Sequence, residues 1–70
     1  MPEKQRLHQW SEFMDRVRGL GFEYQMMQGR ECRLPEYHMT VGWALKPKMG
    51  LYVRYDDGVT RYGLRPEEIL

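Results

Sequence analysis

The sequence predicts an α+β domain. An N-terminal amphipathic helix packs on a curled four- to five-stranded antiparallel sheet, a partial barrel, and a short C-terminal helical turn closes the chain. Two observations predict this. Apolar residues recur at helical spacing up to about residue 20 and at strand spacing after it. Turn-forming residues then punctuate the second half at short intervals. A helix followed by a run of strands reads as α+β, and 70 residues leave room for one domain.

Residues 3–18 read as the helix. Pro2 suits its first turn, where a missing N–H costs nothing. Leu7, Trp10, Phe13, Met14 and Val17 fall on one face, while His8, Glu12, Asp15 and Arg16 fall opposite. Glu12 and Arg16 stand four apart in the favourable order for an ion pair. Gly19 is placed to end the helix in a left-handed cap, with Leu20 as its hydrophobic contact.

Residues 21–27 alternate, sending Phe22, Tyr24 and Met26 one way and Glu23, Gln25 and Met27 the other. Gln28-Gly29 is a tight turn and residues 30–34 return as a second strand. Pro35 breaks the ladder, so 35–38 is a loop. Residues 39–45 form the next strand, with Met39, Val41, Trp43 and Leu45 on one face. The small residues Thr40, Gly42 and Ala44 on the other allow a backbone or helix to come close. After a loop at 46–50, residues 51–56 and 59–63 pair as a hairpin around Asp56-Asp57-Gly58. Pro66 opens a last helical turn with Glu67 and Glu68 near its positive end.

A domain this small buries only about 60% of its unfolded surface. Nine aromatic residues, two Trp, two Phe and five Tyr, are therefore expected to carry much of the core. Homodimerisation is a second route to hiding apolar surface. The single Cys32 excludes an internal disulfide, and no run of 18 apolar residues exists to span a membrane. With no secretory leader either, a reducing, cytoplasmic setting is the expectation. Eleven basic against ten acidic residues leave a net charge of +1, which argues against a general nucleic-acid coat.

The segment Tyr52–Leu70, YVRYDDGVTRYGLRPEEIL, resembles the last strands of Tudor-type and other SH3-like small barrels. Tyr55, Asp56, Asp57, Gly58 and the stretch Leu64 to Ile69 match the family's cadence of a strand ending in an aromatic, an Asp-Gly turn, a short strand and one acidic helical turn. The preceding GWALKPKMGLYV fits the paired strands before it, so the resemblance covers residues 41–70. It implies a fold, not a ligand. The family's aromatic cage needs rings converging at one end, whereas Tyr52 and Tyr55 point to opposite faces of one strand. The long N-terminal helix also lies outside the family pattern.

Catalytic constellations are absent from the spacing. Cys32 and His38 are the one thiol–imidazole combination; lying on either side of Pro35 they could meet, but a half-buried strand cysteine and a loop histidine account for both. His8 and Glu12 stand at i, i+4, but two ligands do not make a metal site. Asp56 and Asp57 are adjacent turn residues that point apart. No phosphate-binding glycine loop and no serine-nucleophile motif occurs. No enzymatic activity, cofactor or metal is expected.

The expected function is a non-enzymatic interaction module that binds a protein partner. Tyr37, Met49, Tyr52, Arg54 and Tyr62 are its partner-binding residues, since Tyr and Arg dominate interface hot spots and flexible Met suits adaptable surfaces. A small adaptor, or a stoichiometric inhibitor of the kind phages encode, fits the chain's size. The alternative is a nucleic-acid binder using Lys46, Lys48, Arg54 and Arg61, with Arg54 and Arg61 as cross-strand neighbours beside Tyr52 and Tyr62.

Overall fold

A computed structural model describes the backbone of residues 3–70 and the side chains from His8 onward. Expectations for Pro2 and for the Leu7 side chain lie outside the described residues. In order come helix α1 (Glu3–Leu20), strands β1 (Gln25–Met27) and β2 (Glu31–Leu34), and a single 3-10 turn (Pro35–Tyr37). Strands β3 (Met39–Ala44), β4 (Gly50–Tyr55) and β5 (Thr60–Leu64) follow, then helix α2 (Pro66–Ile69). The strands form one antiparallel meander in the order β1-β2-β3-β4-β5. The domain is therefore α+β as expected. The sheet is not closed into a barrel, because β1 and β5 stay at its two edges.

Helix α1 runs two residues further than its pattern indicated. Gly19 and Leu20 are helical, and Gly21 takes the left-handed cap at φ +76°. The N–H groups of Gly21 and Phe22 donate to the carbonyls of Arg18 and Val17, both at 3.2 Å, which is the Schellman pattern. Leu20 is accordingly not the capping contact but 59% exposed, and Phe22 packs against the core in its place. The expected strand 21–27 shortens to Gln25–Met27 because this cap occupies its first residues.

The core lies between α1 and one face of the sheet. Phe13, Val17, Cys32, Leu34, Val41, Leu51 and Val53 are fully buried there. Each large apolar side chain so buried stabilises the fold by roughly 1.5–3 kcal/mol relative to exposure. Phe13 is the one fully buried aromatic among the described residues. Trp10, Phe22, Tyr24, Trp43 and Tyr55 instead line the margin of an aliphatic core, half-buried. Leu45 falls beyond the end of β3 and is 57% exposed, against the expectation that it joins the core face. Trp43 donates its indole N–H to Gln9 Oε1 at 2.9 Å, fastening β3 to α1.

The polar face of α1 also differs from its pattern. Arg16 does not pair with Glu12. It is half-buried, and its guanidinium donates at 3.2 Å to the carbonyl of Leu70, tying α1 to α2. Asp15 pairs with Arg18 instead, at 3.4 Å. Helix α2 opens on the buried Pro66, and Glu68 Oε1 accepts the Arg65 N–H at 3.2 Å.

Candidate functional site

Strand alternation sends every second side chain away from α1, and no described element covers that side. The register assembles it into two rows. The first runs Gln25, Arg33, Thr40, Arg54, Thr60 across the five strands. The second runs Met27, Glu31, Gly42, Tyr52, and Tyr62 then lies beside Tyr52 with ring centroids 6.1 Å apart.

At the middle of this face Tyr52 lies on Gly42. A Cβ on Gly42 would fall 2.5 Å from the Tyr52 ring, so only glycine leaves room beneath it. The small residues of β3 thus admit a side chain from the next strand, not the helix or backbone their size suggested. The Tyr52 hydroxyl donates to Glu31 Oε2. Burial first, and this hydrogen bond second, push its phenol up to about 12.

The charges on this face are mutually engaged. Arg33 donates to both oxygens of Asp56 at 2.5 and 2.7 Å, a bidentate pair. That hydrogen bond holds the Asp56 carboxyl below the usual carboxylate range. His38 Nδ1 stands 3.7 Å from Asp56 Oδ2. Arg54 stands 3.7 Å from Glu31. Arg33 and Arg54 flank the buried Thr40, so the first row is two arginines around a threonine, with acidic neighbours close to both.

The structure brings Tyr52, Arg54 and Tyr62 together and places the other two expected partner-binding residues at opposite ends of the β3–β4 ladder. Tyr37 packs edge-on against Phe22 at 5.0 Å, at the Met39–Tyr55 end of the ladder. Met49 precedes Gly50 at the opposite end, about 17 Å away at some 3.3 Å per residue. The four basic residues of the nucleic-acid alternative do not form a strip. Arg54 pairs with Thr60 on the outer face, whereas Arg61 pairs with Val53 on the helix side. Lys46 and Lys48 are in the β3–β4 loop. The aromatics of the barrel resemblance are likewise divided, with Trp43 and Tyr55 against the core and Tyr52 and Tyr62 outside.

The remaining constellations are accounted for locally. Cys32 is buried, its thiol is pushed up by desolvation, and it does not meet the exposed His38. Asp57 Oδ1 accepts the Val59 N–H at 3.0 Å, which is turn chemistry. His8 and Glu12 line an open cleft of about 390 Å³ with Gln9, Arg65, Pro66 and Glu67. Among the described residues no group of three His, Cys, Asp or Glu can hold a metal, and no helix is long and apolar enough to cross a membrane.

The Tyr52–Gly42 contact escaped the sequence reading because it depends on the β3–β4 register. A glycine in the middle of a strand pattern was the available signal, since it marks a place where something approaches closely. No family model, curated protein or solved structure matches the chain.

Proposed function

We propose that the chain is a non-enzymatic binding module that docks a protein partner on the outer sheet face, centred on Tyr52, Arg54 and Tyr62. It acts as an adaptor or inhibitor by occupying a surface, without turnover. The observation that carries this reading is the Tyr52–Tyr62 ring pair beside Arg54 on an uncovered face whose arginines are already matched by acids. Rigid aromatics with a neighbouring arginine are the composition of interface hot spots. An electrically balanced face offers little to a phosphate backbone, whose binding requires uncompensated cations.

Docking on a face, in place of strand addition, agrees with the edges. β1 has only three residues, and β5 carries a register shift opposite Leu51–Val53 together with Gly63 at φ +66°. Short edges and bulges both obstruct pairing with another chain.

The test is affinity capture with the tagged chain and its Tyr62→Ala variant, with and without nuclease. The reading expects a stoichiometric protein partner that survives nuclease and raised salt, and that the variant loses. A partner that disappears with nuclease, or that Tyr62→Ala retains in full, overturns it.

A further inference from the structure

The loop between β3 and β4 is joined physically to the tyrosine face. Gly50 and Gly63 meet across the β4–β5 ladder, where a Cβ on Gly50 would fall 3.2 Å from the Gly63 Cα. Gly63 also lacks a side chain on the side where Lys48 passes: a Cβ there would stand 2.6 Å from Lys48 Cδ and 2.8 Å from Cγ. The Lys48 stem therefore packs on β5 at Gly63, the residue after Tyr62. Leu45 is 57% exposed, Met49 39% and Tyr62 40%, and Lys46 and Lys48 are exposed between them.

These lysines differ from the arginines of the sheet face. Arg33 and Arg54 each have a carboxylate within 4 Å. Among the described residues neither Lys46 nor Lys48 has one. Apolar side chains and uncompensated cations thus alternate along one loop that leads directly onto a tyrosine pair.

We propose that this loop binds an acidic protein segment, whose carboxylates meet Lys46 and Lys48 while its apolar side chains rest on Leu45, Met49 and Tyr62. The inference rests on the protein-binding reading above and specifies the partner's chemistry. Charge complementarity favours acid at the loop. The balanced face beside it gives an anionic polymer or a lipid surface nothing further to hold, whereas a protein segment can continue onto the tyrosines.

The test is an amide NMR titration of the full chain with a short peptide alternating Glu with Leu. The same peptide with Gln for Glu, an oligothymidine and phosphatidylserine vesicles form the comparison arms. The variant is Lys46→Gln with Lys48→Met, which removes both charges and keeps the stem over Gly63. The proposal expects shifts confined to Leu45–Met49 and Tyr62, and affinity about three- to tenfold weaker in the variant. Equal binding of the Gln peptide, no binding of the Glu peptide, or tighter binding of oligothymidine or vesicles overturns it. The Tyr62→Ala capture above is independent of loop charge, so it can succeed while this inference fails.

Discussion

Tyr52 rests its ring on Gly42, its cross-strand partner, and anchors its hydroxyl on Glu31 one strand further on. One residue thus spans three strands of the uncovered face. A methyl at position 42 would collide with the ring. Gly42→Ala is expected to cost about 1–3 kcal/mol, as overpacking does. Urea unfolding checks this, and the same substitution in a Tyr52→Ala background should cost far less. Equal costs in both backgrounds would show that the ring is not the obstacle.

The Tyr52 phenol should ionise above the ordinary tyrosine range. Its value of about 12 lies above the ordinary 10.0, so the folded chain holds this proton more tightly than the unfolded one. The resulting stability is complete below pH 10.0 and is lost as pH rises from there towards about 12. Phenolate absorbance during alkaline titration reads this directly. Tyr52→Phe should remove a component that rises at about 12, and an unchanged curve would contradict the assignment.

Asp56 behaves in the opposite sense. Its carboxyl lies below the ordinary 3.8 because Arg33 donates to it. The unfolded chain therefore takes up this proton first as pH falls. The contribution is complete above 3.8 and fades as pH drops through the lower folded value. Asp56→Asn should flatten the fall in urea midpoint below about pH 4, where carboxylates protonate. An acid limb as steep as the parent's would exclude the pair as its source.

The Cys32 thiol should be silent in the folded chain. It is fully buried, and burial pushes its ionisation up. A thiol-reactive dye should label it only through opening of the sheet, about a thousandfold or more slower than in denaturant. Rapid labelling of the native chain would place the β2–β3 pairing among the weakly held parts of the fold.

What the sequence disclosed depended on how local the governing contact is. Alternation along single strands was readable, and it correctly placed Tyr52 and Tyr55 on opposite faces. The helix end was not, because Gly19 and Gly21 can both take positive φ. What decides between them is that Phe22, and not Leu20, reaches the core. The Arg54–Arg61 strip failed for a similar reason. Tyr55 and Val59 pair, so Asp56, Asp57 and Gly58 make an odd-numbered loop, with Gly58 at φ +98°. One residue of register sends Arg61 to the other face. Of the candidate site, the residue types were legible and their grouping was not, since Tyr37, Met49 and Tyr52 belong to different parts of the ladder.

The two-sided sheet separates what the chain must keep from what it is free to vary. Alternate positions facing α1 carry the folding energy, and Gly42 and Thr40 are the constrained points on the other side. Gln25, Met27, Arg54, Thr60 and Tyr62 can be randomised together in a display library without touching the interior. The molecule is in this sense a miniature scaffold, on which new specificities can be selected while the hidden half is left as it stands.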